Sequence, residues 1–137
     1  MVVLALTSLT ACSKDRIISY DQLPANAKNV IEKYFDKVNV SYVKQDGTGM
    51  WAEYEVKFMN MDEVEFDSKG TLKSVDMRSG EVPSALVPQL IRTYVADNFA
   101  GQVIIKYSVE KYGHEIKLNG GLEIEFDKSF NVRKIDD

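Results

Sequence analysis

A short pattern occurs twice in this chain. Val64-Glu65-Phe66-Asp67 is followed by a turn and then Lys73-Ser74-Val75-Asp76. Ile124-Glu125-Phe126-Asp127 is followed by a turn and then Arg133-Lys134-Ile135-Asp136. Position 64 to 124 is an offset of 60, and 75 to 135 is the same. Apolar and charged residues alternating on both sides of a turn signal predict a β-hairpin. Two such hairpins at one spacing restrict the chain to an architecture that repeats itself and is rich in sheet.

The segments between the hairpins fit this frame. Ala27, Val30, Ile31, Tyr34 and Phe35 recur at helical spacing after Leu23-Pro24, and Pro suits a first helical turn. After Phe35 the period drops to two, and Val38, Val40 and Tyr42 alternate with polar residues up to the turn Asp46-Gly47-Thr48-Gly49. Tyr54, Val56 and Phe58, then Val64 and Phe66, then Leu72 to Met77 continue as strands. Val82-Pro83 repeats the Leu-Pro signal, and a second apolar stripe runs through Leu90, Ile91, Tyr94 and Val95. Pro88 would break a helix interior, so a short turn over 84–87 and a helix from Pro88 are expected. Strands are expected near 103–110, 114–118, 122–127 and 131–135.

The expectation is therefore an α+β fold built as a tandem repeat of two α-β4 units, residues 21–79 and 80–137, in two layers. The helices would pack on antiparallel sheet, and the strands would run on as one curved sheet.

The N-terminus carries a different message. Residues 1–11 are uncharged and mostly apolar, and Leu9-Thr10-Ala11-Cys12 matches a bacterial lipobox, in which a Cys becomes lipidated and N-terminal. Residues 1–11 are read as the remnant of a signal peptide, Cys12 as the lipidation site, and 12–20 as a tether or a short edge strand. The stretch is too short to span a bilayer as a helix. No Lys or Arg precedes the apolar run, so Met1 is not secure as the start. The localisation expected is the cell envelope, periplasm or outer membrane, with membrane contact through the lipid only.

Together the lipobox, the Leu-Pro helices and the hairpins Glu63-Val-Glu-Phe-Asp67 and Glu123-Ile-Glu-Phe-Asp127 resemble the PepSY-like lipoproteins. That family is similar in fold to the β-lactamase inhibitor protein. The resemblance covers about residues 20–137. It implies a secreted, non-enzymatic α+β protein with a role in inhibition or protein binding, and it implies no catalytic residues. With one Cys, this chain lacks the paired cysteines of the true inhibitors.

Composition narrows the function classes. Net charge is −4 with 21 acidic residues, and no basic block stands out, which argues against nucleic acid as a partner. One Cys and one His exclude an intrachain disulfide and multi-His metal sites. No phosphate loop, EF-hand loop or nucleophile elbow is present, so no cofactor and no metal are expected, and the chain is read as not an enzyme. His114 reads as a strand-turn residue rather than a base.

Two stretches remain as binding candidates. The carboxylates Glu53, Glu55, Glu63, Glu65 and Asp67, and their counterparts Glu115, Glu123, Glu125 and Asp127, would share one sheet face with Lys57, Lys73, Lys117 and Arg133. Such a face can dock a basic peptide or a cation, or be only a solvated ladder of cross-strand ion pairs. Met50-Trp51, with Tyr54 nearby, offers an apolar anchor beside a turn, or alternatively a cap on the core edge. The function expected is binding of a protein or peptide of unknown identity, possible binding residues being Trp51, Met50, Tyr54, Glu65 and Glu125. The alternative is a small-ligand or cation-binding periplasmic protein.

Overall fold

The computed structural model describes residues 15–137. The nine strands are β1 (Asp15–Ile18), β2 (Val40–Asp46), β3 (Glu53–Phe58), β4 (Glu63–Phe66), β5 (Leu72–Asp76), β6 (Ile104–Glu110), β7 (Gly113–Leu118), β8 (Glu123–Asp127) and β9 (Val132–Asp136). They form a single antiparallel sheet in chain order. Two helices of ten residues, α1 (Ala25–Tyr34) and α2 (Gln89–Asn98), precede β2 and β6.

The expectation of two α-β4 units in two layers is corrected by this topology. β5 pairs β6 through Ser74↔Ser108, Val75↔Tyr107 and Asp76↔Lys106, so the sheet runs through the point where the units were divided. The physical reason is the strand edge. A four-stranded unit ending at β5 would leave a row of unpaired backbone donors and acceptors, and β6 satisfies them. β1 belongs to neither unit: the residues read as a tether or edge strand supply an edge strand on β2. The structure is mostly sheet, and each short helix buries only two residues, Ala27 and Ile31 in α1, Ile91 and Val95 in α2.

The register explains why the sheet holds together. Ile18, Val43, Val56, Val64, Val75, Tyr107, Ile116, Ile124 and Ile135 are successive cross-strand partners, one apolar side chain from each strand. The row lies on the face shared with Phe58, Phe66, Leu118 and Phe126, and one core cluster joins most of it to the four buried helix residues. Fully burying a side chain of this size contributes about 1.5–3 kcal/mol, so the row dominates the cohesion of the fold. Both helices start after a proline, Pro24 and Pro88, and a 3-10 turn over Ser84–Leu86 leads into α2 as the Pro88 argument requires.

Turns tie the ends of the strands. Asp67 Oδ1 accepts from the N–H groups of Lys69 and Thr71, and Asp127 Oδ1 accepts from those of Ser129 and Asn131, all at 2.9 Å. In the first of these turns Gly70 has φ +83, and an added Cβ would meet Ala27 N at 2.8 Å, so the turn seats its backbone against the start of α1. The buried Asp62 carboxylate accepts from Arg78 N at 2.6 Å, Ser79 N at 2.9 Å and Ser79 Oγ at 2.6 Å. It fastens the β3–β4 turn to the segment leaving β5.

Candidate binding face

Residues that alternate with the apolar row point to the other face of the sheet. Next to the row run Lys44, Glu55 and Glu65 from β2–β4, then Ser74 and Ser108, then Glu115, Glu125 and Lys134 from β7–β9. A parallel line carries Lys57, Glu63 and Asp76, then Lys106, Lys117 and Glu123. Acidic side chains thus gather in two places, over β3–β4 and over β7–β8, with the two serines between them. The expected shared face is present for the glutamates. Asp67 and Asp127 are held in their turns instead, and the turn hydrogen bonds keep the Asp127 carboxyl below the usual carboxylate range. An Asp opening a turn is a signal of this arrangement in the sequence itself.

The first acidic group is the tighter one. Glu55, Glu63 and Glu65 can bring one oxygen each within 4.8 Å of one another. Burial, then a hydrogen bond and repulsion from Glu55, push the Glu63 carboxyl up to about 7. Cations already answer much of this charge: Lys44 Nζ lies 3.6 Å from Glu55, and Lys57 Nζ lies 4.0 Å from Glu63. The Tyr42 hydroxyl donates to Glu55 at 3.1 Å. A pocket of about 120 Å³ opens beside the group, lined by Asp15, Lys44, Asp46, Glu53, Tyr54, Glu55 and Glu65. The sequence does not single out Tyr42 or Lys44, because only register shows that they face Glu55.

The second group is looser. Burial and the neighbouring Glu123 raise the Glu115 carboxyl. Glu125 is held by Arg133 at 3.2 Å, and that guanidinium stacks over the Tyr112 ring at 4.2 Å. Most of this face is therefore a ladder of partly screened ion pairs, each worth about 0–1 kcal/mol.

The tip between β2 and β3 differs in kind. Met50 is 76% and Trp51 80% exposed, so Trp51 does not cap the core. The two line a groove of about 270 Å³ with Leu72, Lys73 and Val109, and Val109 is itself exposed. Tyr54 is half-buried against the core. Met59 and Met61 are also exposed, in the β3–β4 turn. His114 is the cross-strand partner of Val109. Its Nδ1 lies 2.9 Å from the Tyr107 hydroxyl, its ring stacks on Phe130 at 4.9 Å, and burial lowers its pKa. Phe130 accepts a positive φ of 67 in the β8–β9 turn, where it supplies this stacking partner. Cys12 lies outside the described residues.

The class of protein defined by these features is a small domain built on a single antiparallel sheet, with one apolar face and one open, charged face. The chain belongs to the family described as "beta-lactamase-inhibitor-like, PepSY-like", whose pattern matches residues 52–134. Three solved structures are similar over nearly the whole chain. One, from Bacteroides vulgatus and named as a periplasmic protein of the DUF2874 family, is 37% identical with a TM-score of 0.86, covering 91% of this chain and 98% of its own. A second, from Bacteroides thetaiotaomicron and named as a calcium-regulated periplasmic protein, is 33% identical with a TM-score of 0.85, covering 92% and 99%. A third, also from Bacteroides vulgatus and named as a periplasmic protein of unknown function, is 32% identical with a TM-score of 0.82, covering 90% and 99%. No curated protein matches the chain.

The Glu63 carboxyl generates a pH prediction. Its folded pKa of about 7 lies above its ordinary value of 4.5, so the folded state binds the proton more tightly. That stabilisation is full below pH 4.5 and is lost as pH rises through 7. Glu63→Gln cannot ionise and keeps a donor toward Glu55. It should unfold at higher urea than the parent at pH 8 and at nearly the same urea at pH 4, the His114 contribution cancelling between the two proteins. Equal midpoints at pH 8 would mean that Glu63 is solvated.

Proposed function

We propose that this chain is a non-enzymatic, periplasmic, lipid-anchored module that binds a protein or extended peptide, with Met50 and Trp51 as the anchor. The carrying observation is the 80% exposure of Trp51, the only tryptophan in the chain, at the tip of a hairpin. A large exposed aromatic beside an exposed Met is costly to leave in water, and it is the kind of side chain that dominates binding energy when a partner covers it. The open face competes less well, because three of its glutamates, Glu55, Glu63 and Glu125, already have lysine or arginine partners. The non-enzymatic reading is supported by His114: the only imidazole is held by Tyr107 and stacked on Phe130, away from the acidic groups. Trp51→Ala should weaken capture of the partner from envelope extract, by at least tenfold for an anchor worth about 2 kcal/mol, with an unchanged unfolding midpoint. Binding that survives the substitution would remove Trp51 from this role.

Periplasmic placement is supported by the names of the three similar structures, and the anchor by the lipobox ending at Cys12. Among the described residues no helix is long and apolar enough to cross a membrane. Intact mass of the chain from a membrane fraction should show cleavage before Cys12 and an added diacylglyceryl group. An unmodified Cys12 would sink the anchor.

A second reading has its own support. Glu55, Glu63 and Glu65 bring three carboxylates together, and one similar protein is named as calcium-regulated. Ca²⁺ takes six to eight oxygens, and Lys44 and Lys57 stand against these carboxylates, so any site here is a weak one. Calorimetric titration with calcium should then show heat that Glu65→Gln removes; no heat at millimolar calcium would end this reading.

A further inference from the structure

β9 is an outer strand. On its inner side Lys134, Ile135 and Asp136 pair with Glu125, Ile124 and Glu123, and among the described residues no strand pairs with its other side. Hydrogen-bonding groups alternate sides along an antiparallel strand. The Asp127 N–H donates to Asn131 O across the hairpin, so Glu125 and Glu123, at steps of two, also bond toward β9. Lys134 and Asp136 therefore turn their backbone groups inward, and Ile135 presents its N–H and C=O to the outside. The Ile135 side chain ends the apolar row and is 46% exposed, whereas Ile124 beside it is fully buried. An edge of this kind is a template for another strand.

The sequence at this edge says which strand fits. Read antiparallel against itself about Ile135, the segment Arg133-Lys134-Ile135-Asp136-Asp137 sets Lys134 opposite Asp136 and Ile135 opposite Ile135, while Arg133 stays in the β8–β9 bulge on Glu125. Lys134 and Asp136 each meet the opposite charge, and the half-exposed isoleucine meets its own copy. Paired about its own centre, the other sheet edge, Asp15-Arg16-Ile17-Ile18, sets its two charges against isoleucines.

We propose that β9 pairs with β9 of a second copy of this chain about a two-fold axis through Ile135, joining two sheets into one. The contact is isologous and closes at two subunits. The axis stands normal to the sheet, so both open faces lie on the same side of the dimer and both Trp51 tips remain free. Lys134 exchanges its own Asp136, at 3.3 Å, for that of the partner copy, so the charges choose the register while backbone bonds and the Ile135 contact supply affinity. Five residues a side make an interface well below the standard of about 1,600 Å², and the dimer forms reversibly at micromolar concentrations or above. The inference is independent of the partner-binding reading.

Sedimentation velocity of the full chain over a concentration series tests it. The parent should pass from monomer to dimer as concentration rises, with the Ile135 amide exchanging more slowly in the dimer. Lys134→Asp and Asp136→Lys should each stay monomeric alone, because each sets like charges opposite one another. An equimolar mixture of the two should dimerise again, since the aspartates of the first variant's strand then face the lysines of the second's. This recovery also shows that both variants are folded. A parent that stays monomeric at every concentration overturns the proposal. So does a dimer that both single variants retain, a mixture that does not recover, or growth beyond two subunits, which would mean pairing of β9 with β1.

Discussion

The cross-strand registry of one apolar row is the constraint on which the rest of this structure depends. Nine consecutive strands each place one apolar side chain in the same line, from Ile18 to Ile135. Side chains alternate across a strand, so slipping any pair by one residue would put a valine or isoleucine on the charged face and a glutamate or lysine in the core. The cost of burying an unpaired charge far exceeds the gain from any surface ion pair. Registry is therefore decided by the core, and the positions of the glutamates on the open face follow from it.

This coupling explains why the two acidic groups exist at all. In β3–β4 the apolar partners Val56↔Val64 are flanked by Glu55↔Glu65 and Lys57↔Glu63; in β7–β8 Ile116↔Ile124 are flanked by Glu115↔Glu125 and Lys117↔Glu123. Like-charged partners directly opposite one another are mildly destabilising. The first group shows how the fold absorbs this: Lys44 and Tyr42 from β2 reach Glu55, and Glu63 takes up a proton near neutral pH. The second group is relieved differently, by Arg133 across the bulged β8–β9 pair. At the hairpin tip, by contrast, Met50 and Trp51 stay exposed to solvent.

Local pattern made a large part of this legible. The hairpins, both helix starts after proline, the 3-10 turn before α2 and the sorting of apolar from acidic positions all follow from periods of two and 3.6 and from turn chemistry. The description as two α-β4 units did not survive, because repetition in sequence says nothing about whether neighbouring edges pair. Asp62 carries no local signal either. Its partners Arg78 and Ser79 lie across the β4–β5 hairpin, and no spacing marks them. Trp51 stays open between core cap and protruding anchor in the sequence, since an aromatic beside a turn satisfies either pattern.

Residue order by itself determined the hairpins, the helices and the face on which the strand glutamates lie, because each of these depends on neighbours a few positions away. Tertiary structure alone decided that β5 joins β6, that Tyr42 and Lys44 meet Glu55, that Trp51 stands in solvent and that Ile135 ends the sheet half-exposed. These are outcomes of pairing and burial between residues distant in the chain. Their energies depend on which surfaces are left uncovered once the whole sheet has formed.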